Sequence, residues 1–324
     1  MGKLIRIGTR ESQLAVWQAM HVQHLLAQNN FASELVYIKS EGDIDLQTPL
    51  YEMGVQGIFT KSLDIALLNK KIDIAVHSMK DVPTQLAKGI AQAAVLERAS
   101  YKDILVYKES STVIGQWSMI NDDPSNFNAL LTSHDSRLTI ATSSIRRKAQ
   151  WLNRFPNHTI ENLRGNVNTR LKKVDESNWH GAIFAAAGLE RINLRPQNSI
   201  ELNWMLPAPA QGAIMVVCRN EDNFCLEACS HFNDTDTATC TKVERDFLRQ
   251  LLGGCSTPIS ALAQIKEGML VFKGNILSID GKEKVTVEKI IPATEAADLG
   301  KIAATYLLEN GGQKIADGIR NAAK

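Results

Sequence analysis

Residues 3–28 decide the fold, and they read "KLIRIGTRESQLAVWQAMHVQHLLAQ". The apolar run at the start predicts a buried strand, and Leu14, Trp17 and Leu25 then recur near helical spacing. The turn "GTRES", rich in small and charged residues, separates the two. A strand, a small-residue turn and a helix together form one unit of an α/β layer.

The same unit recurs further along the chain. Short apolar runs that lead into turns read "SELVYIKS", "IDIAVHS", "RLTIATSS", "HTIENL" and "GAIFAAAG". This alternation predicts α/β layers with parallel strands. The pattern stops between about 109 and 136, where polar residues predict an exposed loop.

The predicted units fall into three domains. The segment "LPAPAQG" at 206–212 contains two prolines, which suit a connection that returns from one lobe to the other. After it come a long helix, a cysteine-containing loop, three strands and a closing helix. We expect lobe 1 to comprise 1–98 and 212–232, lobe 2 to comprise 99–206, and a smaller C-terminal α/β domain to comprise 235–324.

Composition narrows the class of protein. With 324 residues, of which 44% are hydrophobic and 22% charged, the chain can form two or three cored domains. A net charge of +1 argues against a nucleic-acid binder that depends on charge over its whole surface. No signal-type or membrane-length apolar stretch occurs in the sequence, so we expect a cytoplasmic protein outside the membrane.

The five cysteines form no recognisable framework of disulfides or metal ligands. Their number is odd, and the spacing of Cys225, Cys229 and His231 matches no zinc pattern. We therefore expect no metal site, and buried thiols at most of these positions.

Cys255 differs from the other cysteines in its setting, "LLGGCSTPIS" at 251–260. Two glycines before it and Pro258 after it favour a shaped loop that presents the thiol. The thiol could be an attachment point or a nucleophile. A nucleophile would need a histidine partner, and none of the seven histidines lies in a comparable motif.

Basic residues cluster where parallel strands are predicted to end, which is where open α/β sheets bind their ligands. Arg146 and Arg147 begin a helix, where a positive charge is unfavourable unless an anion offsets it. Ser144 can cap the same helix, so the turn predicts an anion site. The residues at such positions are Arg10, Lys80, Arg146, Arg147, Arg164 and Arg170.

Asp81 is the one acid in this predicted set. Its turn "KDVP" could simply use the carboxylate as a cap. Among arginines, however, it should stay ionised and could stabilise positive charge or move a proton. His77, on the preceding apolar strand, is more consistent with a packed core histidine. A two-lobed anion-binding protein without catalysis is the alternative, but it would leave Asp81 and Cys255 without a role.

Seven stretches resemble the hydroxymethylbilane synthase family, also called porphobilinogen deaminase, in the family's order and along nearly the whole chain. They are "IGTRESQLAVWQA", "DIAVHSMKDVPT", "ATSSIRRKAQ", "LRGNVNTRL", "AAAGLERI", "LPAPAQGAI" and "ERDFLRQLLGGCSTPISA". The resemblance implies a monomer with two lobes like those of periplasmic binding proteins. It also implies condensation of four porphobilinogens into 1-hydroxymethylbilane with loss of ammonia.

The resemblance further implies a dipyrromethane cofactor, held by a thioether to Cys255, and Asp81 as the catalytic residue. Residues implied to bind this cofactor are Lys80, Asp81, Ser144, Arg146, Arg147 and Arg170. Residues implied to line the substrate's side are Arg10, Ser12, Phe59, Arg164, Arg191 and Gln211. A core aromatic is the alternative role for Phe59.

The chain departs from the family's pattern in "YEMGVQGIF" at 51–59. Glu52 and Gln56 stand where many members have lysines, which puts that loop's part in carboxylate binding in doubt. The polar insertion at 116–136 also exceeds the usual length, and we assign it no function.

Overall fold

The computed structural model describes residues 3–39, 60–108, 137–251 and 257–322. Cys255, Phe59, Glu52, Gln56 and the 116–136 insertion lie outside the described residues.

The described chain contains strands grouped into three sheets. In chain order they are β1 (Ile5–Thr9), β2 (Ser33–Tyr37), β3 (Ile74–Ser78), β4 (Ile90–Val95), β5 (Asp103–Tyr107), β6 (Thr139–Ala141), β7 (Thr159–Glu161), β8 (Gly181–Ala185), β9 (Ser199–Glu201), β10 (Ile214–Arg219), β11 (Ile259–Lys266), β12 (Met269–Leu277) and β13 (Lys284–Pro292).

Helices cover these sheets. They are α1 (Gln13–Gln28), α2 (Lys61–Leu68), α3 (Ile145–Arg154), α4 (Val167–Glu176), α5 (Ala186–Glu190), α6 (Asn223–Ser230), α7 (Thr235–Leu251), α8 (Leu299–Leu307) and α9 (Gln313–Ala322), with 3-10 turns at Met79–Asp81 and Ala293–Asp298.

Two five-stranded sheets share one topology. The first has the order β2-β1-β3-β10-β4, and the second has the order β7-β6-β8-β5-β9. In each sheet one strand, β10 or β5, runs antiparallel to both of its neighbours, so the prediction of purely parallel layers is wrong for these strands. Each of them is the strand by which the chain arrives from the other sheet, and it enters in the opposite direction.

The third sheet is an antiparallel meander, β11-β12-β13. One of its faces packs on α7 and α8, where Phe247 and Phe272 meet edge to face at 5.1 Å between ring centroids. A mixed α/β architecture with two lobes and a C-terminal α/β region is therefore confirmed. The exact boundaries of the three domains stay a prediction.

Glu244 ties the two connections between the lobes to the C-terminal region. Its carboxylate, 0% exposed, accepts hydrogen bonds from Arg98 at 2.6 and 3.1 Å. The backbone N–H groups of Ala210 and Ala263 donate to it at 2.6 and 2.7 Å. The charge of this buried carboxylate is well compensated by its four hydrogen bonds. Glu244 therefore holds both connections in place against the C-terminal region.

Four cysteines, Cys218, Cys225, Cys229 and Cys240, are buried and unpaired by disulfides. Burial raises the pKa of the Cys218 thiol to about 11, so that thiol stays protonated and inert near neutral pH. None of the helices in the described ranges is long and apolar enough to cross a membrane.

Candidate active site

Asp81 lies in a one-turn 3-10 helix directly after the buried strand β3. Met79, 1% exposed, anchors the turn, whereas Lys80 is half-buried and Asp81 is exposed. From α7, Arg245 donates to the carbonyls of Met79 at 3.3 Å and Val82 at 3.0 Å. The core contact of Met79 and the hydrogen bonds from Arg245 therefore fix the turn, and the Asp81 carboxylate is exposed.

The second part of the site is the start of α3. Ser144 is extended, with φ −89° and ψ 115°, and its hydroxyl accepts from the backbone N–H of Arg147 at 3.4 Å, which confirms the predicted cap. Arg146 and Arg147 follow, and only 4% and 6% of their surfaces are exposed. Both guanidinium groups are thus held inside the protein rather than in solvent.

Asp103, at the start of β5, is the residue that the sequence analysis missed. Its carboxylate is 0% exposed and lies 2.8 Å from Nη2 of Arg146 and 2.7 Å from Nη2 of Arg147. The interpretation of Asp81 as the one acid near these arginines is therefore wrong. A protein carboxylate already offsets part of the charge that was expected to need a bound anion. An acid adjoining the apolar run "ILVY" was the available signal.

Gln211 links the two lobes at this point. Its side-chain amide, 1% exposed, donates to Asp103 Oδ1 at 3.0 Å and to the carbonyl of Tyr101 at 2.7 Å. Its Oε1 accepts from Lys80 Nζ at 3.4 Å. Lys80 from lobe 1 and Asp103 from lobe 2 therefore share one hydrogen-bonded network.

Arg170 joins the same region from α4. That helix begins at Asn166, whose Oδ1 accepts from the backbone N–H of Thr169 at 2.9 Å. Arg170 Nε donates to the carbonyl of Gly165 at 2.7 Å, and Gly165 has φ +115°, a conformation that favours glycine. The tight turn therefore directs the first part of α4 toward the arginines of α3.

Electrostatics show an excess of positive charge at the site. Burial, together with the charges of Arg147 and Arg146, lowers the pKa of Lys80 to about 8, although Asp81 and Asp103 oppose the shift. Burial, then Arg147, lowers the pKa of Arg170 to about 10. Among the residues that the structure describes, the cluster holds two carboxylates, Asp81 and Asp103, and five cations: Lys80, Arg146, Arg147, Arg164 and Arg170.

Two residues predicted on the substrate's side lie on other elements. Ser12 is the N-terminal residue before α1, and its side chain makes no capping bond. Arg191 donates to the carbonyl of Gly212 at 2.6 Å, and its guanidinium lies 5.8 Å from the centroid of the Trp17 ring. These contacts place Arg191 at the connection between the lobes.

His77 is 7% exposed on β3. Burial, and then the positive charge of Arg10, lower the pKa of its imidazole to about 4. It is therefore neutral near pH 7, as expected for a packed core histidine, and Arg10 lies close enough to act on it.

The cluster fits a group that carries several carboxylates. Within the described residues, Nε of Arg146 is buried without a hydrogen-bond acceptor. A bound carboxylate would supply an acceptor. It would also oppose the burial and the neighbouring arginines that lower the pKa values of Lys80 and Arg170. Lys80, Ser144, Arg146, Arg147 and Arg170 can hold such a group, and Asp81 lies at its edge.

Comparisons with known proteins agree on one family. The model described as porphobilinogen deaminase, dipyromethane cofactor binding domain, matches residues 5–227, and that of the C-terminal domain matches 238–309. The porphobilinogen deaminase of Syntrophomonas wolfei is 38% identical over 96% of this chain and 97% of its own length. That of Chlorobium phaeobacteroides is 36% identical over 99% of both chains.

A solved methionine binding protein, MetQ, is similar with a TM-score of 0.43 and 12% identity over 72% of this chain and 92% of its own. This likeness is weak, whereas the family models and the relatives cover nearly the whole chain. The chain therefore belongs to the porphobilinogen deaminase family.

Proposed function

We propose that this chain is a hydroxymethylbilane synthase, a transferase of tetrapyrrole biosynthesis. It condenses four porphobilinogens head to tail into 1-hydroxymethylbilane and releases ammonia at each step. Membership in the family along the whole chain supports this proposal. The observation that carries it is the exposed carboxylate of Asp81 beside a cluster of cations whose charge is only partly balanced.

The cofactor of this reaction is dipyrromethane, which we place on Cys255 through a thioether. When bound, it supplies a fixed pyrrole end to which substrate units are added. Lys80, Ser144 and Arg170 bind its carboxylates together with Arg146 and Arg147, the two arginines that Asp103 holds in place. Because Asp103 fixes these side chains in advance, less conformational entropy is lost when carboxylates bind.

Asp81 acts on the incoming porphobilinogen. When the bond between the substrate's methylene carbon and its amine breaks, ammonia leaves and positive charge spreads onto the pyrrole nitrogen. The carboxylate of Asp81 stabilises that charge and assists the departure of the amine. Arg10, Ser12, Phe59, Arg164, Arg191 and Gln211 bind the substrate's side of the cleft. Gln211 would do so while bonded to Asp103.

The direct test is Asp81→Asn. It removes the negative charge with little change of shape, so we expect kcat to fall by roughly 100-fold or more. Ammonia and hydroxymethylbilane are measured after porphobilinogen is added to purified protein, and intact mass should show that the cofactor is retained. Asp317→Asn, an exposed carboxylate paired with Arg320, is the matched control and should turn over normally. Wild-type turnover by Asp81→Asn would refute the assigned role.

The same assay decides against the alternative of a two-lobed anion-binding protein, which would release no ammonia. We also propose that the protein works as a monomer in the cytoplasm on a small-molecule substrate and without nucleic acid. The near-neutral net charge of +1 supports the last point. Light scattering of the purified protein checks the monomer.

A further inference from the structure

Gln150, on α3, connects three parts of the chain through one buried side chain. Only 4% of it is exposed. Its amide nitrogen donates to the carbonyl of Leu206 at 2.9 Å and to the hydroxyl of Ser260 at 3.0 Å, and its oxygen accepts from the backbone N–H of Leu206 at 2.9 Å. Both polar atoms are therefore satisfied, and the side chain can adopt few other positions.

The carbonyl of Leu206 also accepts a hydrogen bond from Nη1 of Arg146 at 2.8 Å. Arg146 and Gln150 are four residues apart on α3, so they project from one face of the helix onto the same acceptor. Arg146 in turn lies 2.8 Å from Asp103. Gln150 therefore fixes the acceptor that orients one of the two arginines of the site.

Ser260 brings the C-terminal domain into this network. On β11 the neighbours Ile259 and Ala261 belong to the domain's own core. Because side chains alternate along a strand, Ser260 points to the opposite face of the sheet, and it is 0% exposed. That face meets α3, since Gln150 reaches the Ser260 hydroxyl. Ser260 also follows Cys255 by five positions.

We propose that Gln150 is a positioning residue that sets the distance between the arginines of α3 and β11, the strand that follows Cys255 in the sequence. The inference rests on the proposed function, in which Cys255 carries the cofactor whose carboxylates those arginines bind. Hydrogen bonds of 2.8 to 3.0 Å join Ser260 through Gln150 and Leu206 to Arg146, and an ion pair of 2.8 Å joins Arg146 to Asp103. A shift of β11 relative to α3 would therefore move the tether relative to the carboxylate-binding groups.

The test uses Ser260→Ala, which removes the hydroxyl but little volume. Each variant is made both with Cys255 and in a Cys255→Ala background, and the melting temperatures are compared. The difference between the two backgrounds reports how much the tethered cofactor stabilises the fold. We expect Ser260→Ala to halve that difference or more, and to lower kcat/KM for porphobilinogen by roughly fivefold.

Asn153→Ala is the matched control. Asn153 also lies on α3 and also bonds to the C-terminal region, donating to the carbonyl of Gly281 at 2.7 Å. It has no part in the path to Arg146. We expect this variant to lower both melting temperatures by about 2 °C and to leave their difference unchanged.

Gln150→Met gives a second reading because it keeps the volume of the side chain and removes all three bonds. It should reduce the difference in melting temperature between the Cys255 and Cys255→Ala backgrounds at least as much as Ser260→Ala does. If that difference is unchanged in both variants, Gln150 has no positioning role. A wild-type protein that carries no adduct on Cys255 would instead refute the proposed function, so the two failures are distinguishable by intact mass.

Discussion

Two buried aspartates, Asp73 and Asp103, each lie between two arginines, yet the clusters around them differ in charge balance. Asp73, 2% exposed, pairs with Arg6 at 2.9 Å and Arg219 at 3.1 Å. The pKa of each aspartate is lowered to about 2, because arginine hydrogen bonds and charges outweigh the opposing effect of burial. As carboxylates, the two behave alike.

The cations show the difference. Hydrogen bonding to Asp73 raises the pKa of Arg6, and bonds to Asp73 and Asp222 raise that of Arg219. Around Asp103 the pKa values of the cations shift in the opposite direction. Burial and neighbouring arginines lower the pKa values of Lys80, Arg146 and Arg170. Cations in the first cluster are stabilised by carboxylates of the chain. In the second cluster the described residues compensate the cations less fully, and we propose that a bound carboxylate supplies the rest.

The largest effect is expected from removing each buried carboxylate. Asp103→Asn leaves the buried Arg146 and Arg147 without their carboxylate, so it should lower the free energy of unfolding by about 3–5 kcal/mol. Asp73→Asn should lower it less, because Arg219 keeps Asp222 at 2.7 Å and the Arg6 side chain is 36% exposed. Urea unfolding measures this loss. At a temperature where both variants are folded, only Asp103→Asn should also lose carboxylate binding, seen as a KM raised about tenfold. Equal KM values in the two variants would mean that the clusters do not differ in function.

A pH profile tests the unbalanced charge at Lys80. Bound carboxylates should raise the pKa of Lys80 above its value of about 8, so binding favours the protonated amine. The cofactor carboxylates should therefore bind cofactor-free protein less tightly as pH rises through 8, and the pH profile for reconstitution with the cofactor should have an alkaline limb that falls about tenfold between pH 7 and pH 9. Lys80→Met should lack this alkaline limb, and a limb that persists in this variant would assign it to another group.

The stability of cofactor-free protein should change in the opposite direction. Because the folded pKa of Lys80, about 8, lies below its ordinary value of 10.5, the unfolded chain binds more protons between them. The contribution of Lys80 to stability should therefore rise as pH increases from 8 to 10.5. Urea unfolding of Cys255→Ala with and without Lys80→Met separates this contribution.

The smallest effect is expected at the helix caps. Ser144 caps α3 through a long bond of 3.4 Å, whereas Asn166 caps α4 at 2.9 Å. Ser144→Ala should cost about 0.5 kcal/mol of stability and Asn166→Ala about 1 kcal/mol. If the hydroxyl of Ser144 also binds a cofactor carboxylate, Ser144→Ala should raise KM more than Asn166→Ala does, although it costs less stability. If KM rises more in Asn166→Ala, the variant that loses more stability, then Ser144 acts only as a cap.

Much of this site was predictable from the sequence because its signals are local. A buried strand followed by "MKDVP" predicted the Asp81 turn, and "ATSSIRR" predicted a capped helix that begins with two arginines. Of the residues that the seven family stretches predicted, the structure joins Lys80, Gln211, Arg146 and Arg147 in one network. Each of these inferences depends on a few consecutive residues and on the rule that ligands bind at strand ends.

The missed features depend on long-range pairing. Asp103 meets Arg147 across 44 positions, and Gln150 meets Ser260 across 110, so no periodicity connects them. Likewise, the direction of β5 and β10 follows from how the chain crosses between lobes and not from their own residues. A single sequence contains these residues but does not state which pairs are in contact.

The central claim is that the cation cluster binds a cofactor with several carboxylates that is attached to Cys255. The intact mass of the purified protein tests this claim most directly. We predict that the wild-type chain exceeds its sequence mass by two linked pyrrole units, that Cys255→Ala has the unmodified mass, and that Cys218→Ala, which alters a buried thiol, keeps the adduct. An active wild-type protein with the unmodified mass, or an adduct that persists in Cys255→Ala, would contradict the account.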